Sequence, residues 1–212
     1  VTVAPSGSGI YLHSINGGGI TLGGPLTAAA GITVRNDAGT TGDISTGAIT
    51  TSGGGIFVAA ARNLKVGGMI DSAGEVDLYG NGITTQDITA ASNKIFVESA
   101  GNGDFNFGAL NSSGQINIFK DAGASGNIAL AGATAQDLIH IVHSGTGSIS
   151  AGALTSIANE VEVTAVGGNV TVGATDAFTN MRLTANGTLT ANGDLHAGSG
   201  VVALKGASPS GF

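Results

Sequence analysis

Residues Gly114-Gln115-Ile116-Asn117-Ile118-Phe119-Lys120 alternate apolar and outward-compatible side chains, the pattern of a short β-strand. Ile116 and Ile118 point to one face, Asn117 and Phe119 to the other. The same signature recurs as Ile10/Leu12, Ile32/Val34, Ile56/Val58, Val76/Leu78, Ile95/Val97, Ile139/Ile141, Val161/Val163, Met181/Leu183 and Val202/Leu204. Successive first members are 22, 24, 20, 19, 21, 23, 22, 20 and 21 residues apart. A fixed period of this size is the mark of a stacked repeat architecture.

Each period holds two further short apolar segments. The second runs through Ile20, Ile44, Leu64, Phe105, Ile128, Ile149, Val170 and Leu189. The third runs through Leu26, Ile49, Ile70, Ile88, Leu110, Ala133, Leu154 and Leu195. Turn residues separate them, and no segment carries a 3.6-residue apolar stripe, so substantial helix is not expected. The reading is all-β: a right-handed parallel β-helix with three strands per coil and about ten coils of roughly 21 residues. Neighbouring coils would lie ~4.8 Å apart, giving a rod of roughly 50 Å. The repeat runs from end to end without a seam, so residues 1–212 are expected to form a single domain, a segment of a longer shaft.

Composition agrees. Gly supplies 38 of 212 residues and Pro only 3, without the three-residue register of collagen, and 42% of residues are apolar, which argues against disorder. The glycines of Gly17-Gly18-Gly19, Gly53-Gly54-Gly55, Gly67-Gly68 and Gly167-Gly168 are expected at corners, some with positive φ. Pro5, Pro25 and Pro209 avoid the middle of any ladder.

A net charge of −7 with only 7 basic residues excludes the footprint of nucleic-acid binding and disfavours an anionic membrane surface. No run of 18 apolar residues exists, so no membrane-inserted helix is expected. Cysteine is absent, compatible with the cytosol or with export without oxidative folding. The chain begins at Val1 without the basic and apolar regions of a signal peptide, and is expected to be a mature product or an excised piece.

The outward positions of the main strand are where function would sit. They place Phe57, Tyr79, Phe96, Phe119 and Val142 on one face across five successive coils. A contiguous exposed apolar patch usually marks an interaction site, and aromatic rings suit sugar faces or a protein partner. These five residues are the candidate binding site; no catalytic, metal or cofactor residue is assigned. Carboxylates that could serve a polysaccharide-cleaving enzyme are Asp71, Glu75 and Asp77, or Glu160 and Glu162 near Arg182, although the charged content is low. Glu162 and Arg182 read more simply as an exposed ion pair. His140 and His143 face opposite ways and share no metal. Asp37, Asp43 and Asp121 in Gly-rich turns only faintly suggest calcium. Thr50-Thr51 and Thr84-Thr85 do not extend into a column, which removes the flat Thr ladder expected of an ice-binding surface. Asn111, Asn169 and Asn186 begin glycosylation sequons at a frequency chance explains.

Gly31-Ile32-Thr33-Val34, Gly42-Asp43-Ile44-Ser45-Thr46-Gly47-Ala48-Ile49-Thr50 and Asn159-Glu160-Val161-Glu162-Val163 with Gly168-Asn169-Val170-Thr171-Val172 resemble the repeats of filamentous-haemagglutinin-like large exoproteins, the adhesins of two-partner secretion. The resemblance spans nearly the whole chain. It implies a β-helix shaft at the cell surface or outside the cell, exported through an outer-membrane partner transporter. It further implies adhesion to a host or neighbouring-cell glycan or protein, or assembly with copies of itself. The family's amino-terminal Asn-Pro-Asn-type secretion motif does not occur here. The leading expectation is a non-enzymatic structural and adhesive shaft. A self-assembling extracellular filament or sheath subunit and a polysaccharide-degrading β-helix enzyme are the alternatives.

Overall fold

A computed structural model of the chain describes residues 2–3, 8–15, 18–37 and 41–210; Pro5, Gly17 and the Ala38-Gly39 turn lie outside the described residues. Among the described residues every regular element is a strand, and every strand pairing is parallel. The protein is a parallel β-solenoid of three faces.

The first face is a ten-stranded sheet, from Ile10–Ser14 to Val202–Lys205, with one strand per coil. Ten rungs bound nine complete turns. Ile32, Ile56, Val76, Ile95 and Ile116 are consecutive register partners, so they stand in single file inside the molecule. A second file, Val34, Val58, Leu78, Val97, Ile118 and Ile141, lies two residues on, also buried. β-branched residues fill these files because they pack well on a pleated surface from both sides.

The other two faces merge into one 17-stranded sheet. Separate second and third strands are what the sequence suggests. Yet in three middle coils a single eight-residue strand covers both faces: Phe105–Ser112, Ile128–Ala135 and Ile149–Ser156. The alternation breaks once in each, where two successive small residues turn outward: Gly108-Ala109, Ala131-Gly132 and Gly152-Ala153. There the strand bends around the edge, and the pairing skips one position, Gly108 with Ala131 and Ala131 with Gly152, before it resumes in the same register. Two rungs that the sequence pattern conceals appear here. Ile83 takes its place between Leu64 and Phe105 on the second face, and Thr175 between Leu154 and Leu195 on the third.

The glycines follow a different rule from the expected one. Among the described glycines only Gly123 has a left-handed φ, 95°, and the one non-glycine there is Asn93 at 79°. What most corners demand is the absence of a Cβ. A side chain on Gly114 would strike the carbonyl oxygen of Asn93, and one on Gly145 that of Ala124, each on the coil below. Coils stacked only ~4.8 Å apart leave no layer for it.

One edge is held by side chains that repeat the stacking. The Asp104 carboxylate accepts the Asn127 N–H at 2.8 Å, and the Asn127 side-chain oxygen accepts the Ser148 N–H at 2.9 Å. The Ser148 hydroxyl accepts the Asn169 N–H at 3.1 Å, and the Asn169 side-chain oxygen accepts the Thr188 N–H at 2.8 Å. Asp, Asn and Ser therefore occupy these turns because each satisfies a backbone donor of the next coil.

Candidate functional site: an aromatic ladder on the first face

Outward side chains of the first face form two files. Phe57, Asp77, Phe96, Asn117 and His140 follow one another in register, and beside them run Ala59, Tyr79, Glu98, Phe119 and Val142. The rings zigzag between the files and touch. Centroid separations are 5.4 Å for Phe57–Tyr79, 5.8 Å for Tyr79–Phe96 and 5.8 Å for Phe96–Phe119. The imidazole of His140 closes the line edge-on to Phe119 at 5.1 Å. Val142 is the register partner of Phe119 and prolongs the apolar strip. The structure thus brings together all five residues singled out from sequence, each half-buried, and adds His140. These separations are those of favourable edge and offset ring pairs.

Charge borders the ladder. The Lys94 ammonium lies 3.4 Å from an Asp77 carboxylate oxygen, 3.9 Å from Glu75 and 5.1 Å from the Phe96 ring centre. Toward the C-terminal end Glu162 stands between His140, at 3.6 Å, and Arg182, at 3.7 Å. The Tyr79 hydroxyl is pushed above its ordinary pKa, first by burial and then by the nearby carboxylates of Asp77, Glu98 and Glu75.

The other candidates separate. Asp71 sits on the third face, between Thr50 and Thr89, and is no partner of Glu75 and Asp77. His140 is outward and His143 fully buried, on opposite sides of one strand. Among the described residues no group of three or more His, Asp or Glu side chains could hold a metal ion. His13 and Asp37 pair at 2.5 Å, and His196 and Asp176 at 2.8 Å. A shallow cleft of about 440 Å³ opens at the edge of the second face, lined by Thr84, Gln86, Asn106, Phe107, Leu130 and Ser150 among others, with no titratable side chain. Threonines do align in part on the third face, although no unbroken column forms. Thr27, Thr50, Thr89, Thr134 and Thr155 share an outward file of the third face, with Asp71 and Asn111 between them. Sequence inspection missed it because the spacing between those threonines varies with the turns, and only the register aligns them. The interruptions by a carboxylate and an amide break it as a uniform hydroxyl array.

The sequence reading assigned no structural role to two side chains that prove to be buried, Lys120 and His143. Lys120 is 1% exposed; its ammonium donates to the carbonyls of Gly103 at 2.6 Å and Gly101 at 3.3 Å and lies 4.3 Å from the Phe105 ring centre. His143, its register partner on the next coil, is also enclosed. The signal was present, since strict alternation from Ile116 and Ile139 sends both inward.

Comparison with protein-family models, curated proteins and solved structures returns no match for this chain.

Proposed function

We propose that this chain is a non-enzymatic, structural and adhesive shaft of a secreted bacterial surface protein, whose first face carries the binding surface. The observation that carries the reading is the run of touching, half-buried rings from Phe57 through His140 on five adjoining coils. A rigid stack that repeats its backbone every turn holds such a line in fixed register, which suits a repeating glycan or a protein partner at a cell surface. The resemblance to filamentous-haemagglutinin-like exoproteins favours export through an outer-membrane transporter. A cysteine-free, sparsely charged chain whose coils add one at a time suits folding as it emerges. The test is attachment of the purified chain to cells and immobilised glycans, with Phe96→Asp and Phe119→Asp compared to wild type. Binding should disappear in the variants while the β-type circular dichroism stays; unchanged binding rules out the ladder as the adhesive surface.

A further inference from the structure

We infer that Glu98 is the anchor for a cationic side chain, so that the partner of the aromatic face is a polypeptide presenting arginine or lysine rather than a neutral glycan. This rests on the proposed use of that face and adds the chemistry of its ligand. Along the ladder the other carboxylates have basic partners: Glu75 and Asp77 share Lys94, and Glu162 is flanked by His140 and Arg182. Among the described residues Glu98 makes no ion pair. Its register neighbours are Tyr79 on the coil below and Phe119 on the coil above, and Phe96 is two residues earlier on the same side of its own strand. An uncompensated carboxylate is therefore framed by three rings whose faces are themselves negative.

The molecule supplies its own precedent one step away. Lys94 already seats an ammonium beside a ring of this ladder and between two carboxylates, at 5.1 Å from Phe96 and 3.4 Å from Asp77. Glu98 offers the same two ingredients with the cation missing. A guanidinium suits the place best, since it pairs with a carboxylate and stacks on a ring at once. The net charge of −7 steers such a partner toward the protein from a distance, and the rings select where it lands.

The experiment is fluorescence anisotropy of a labelled nona-arginine peptide at physiological ionic strength against the intact chain. Glu98→Gln should weaken binding roughly tenfold, the loss of one ring-supported ion pair. Asp194→Asn, the same charge change at an exposed turn on another side, should weaken it less than about twofold, since surface charge there acts only at long range. Phe119→Leu, which keeps an apolar side chain but removes a π face, should weaken binding severalfold. Equal effects of Glu98→Gln and Asp194→Asn would overturn the inference, because attraction would then be general. Failure to bind the peptide, or preference for a neutral chito-oligosaccharide that Glu98→Gln leaves unchanged, would also overturn it. The adhesive reading fails separately, on the cell-attachment result with Phe96→Asp and Phe119→Asp.

Discussion

Acidification should weaken this solenoid through one buried imidazole. His143 is fully enclosed, its Nδ1 accepts the Gly145 N–H at 3.1 Å, and its Nε2 lies 2.6 Å from the Gly126 carbonyl oxygen. A carbonyl can only accept, so Nε2 carries the hydrogen and the neutral ring satisfies both contacts. A second proton on Nδ1 would face the Gly145 N–H. It would also bring a cation beside the Lys120 ammonium on the coil below; the coil above offers only Ala165. Burial first, and then Lys120, push the His143 pKa below its ordinary value, and the Gly126 hydrogen bond opposes this only in part. The unfolded chain therefore takes up the proton more readily than the native one. The native state has its full stability above about pH 6.5 and loses it as pH falls below that value, by up to ~1.4 kcal/mol per pH unit. The loss is capped by the cost of forcing the charged ring in, where leaving the buried Gly145 N–H without an acceptor alone costs about 1–3 kcal/mol. Urea midpoints of wild type and His143→Gln, followed by circular dichroism from pH 8 to pH 5, isolate the effect, because every other titrating group is common to both. The wild type should fall by roughly 1–2 kcal/mol relative to the variant between pH 6.5 and pH 5. Parallel curves would refute the assignment of a neutral, obligate imidazole.

Two further substitutions probe the stack. Lys120→Met keeps the buried volume but leaves the Gly103 carbonyl without its donor, and should cost about 1–3 kcal/mol in the urea midpoint; with the neighbouring ammonium gone, the His143 pKa should rise back toward its ordinary value and the acid-induced loss due to it should shrink. Gly114→Ala places a Cβ against the backbone carbonyl of Asn93, which cannot swing aside, and should destabilise by about 1–3 kcal/mol, whereas Gly24→Ala has open space around its Cβ and should be neutral or gain up to ~1 kcal/mol in the same melts.

The inner half of this fold was legible because a solenoid repeats its packing problem. Each of Ile32, Ile56, Val76, Ile95 and Ile116 meets the same neighbours above and below, so apolar β-branched residues recur at one spacing. Where the spacing slips or the residue changes type, the pattern fails: Ile83 follows an unusually short turn, and Thr175 satisfies its hydroxyl locally on the Gly173 carbonyl instead of being aliphatic. The glycines misled for a related reason. A φ preference is a local property that sequence can suggest, but the approach of Gly114 to Asn93 is fixed by the coil below and is invisible without the register.

The outer half obeys no such repetition, and this gives the aromatic ladder its weight. Ring contacts between adjacent strands do stabilise a sheet, by about 0.5–1.5 kcal/mol a pair, so stability is one reason for Phe57, Tyr79, Phe96 and Phe119 to meet. Stability alone would apply equally along the whole face. Yet the flanking positions are Thr33 and Arg35 on one side, and Glu162 and Thr164 on the other, in the same two files and with the same backbone. The backbone requirement is uniform, yet touching rings run unbroken only from Phe57 to His140, and the Tyr11–His13 pair in the same files is set apart by Thr33 and Arg35. The binding role proposed for this face would account for that boundary, and under the inference drawn from Glu98, which sits among the rings without a counter-charge, what meets it would be cationic.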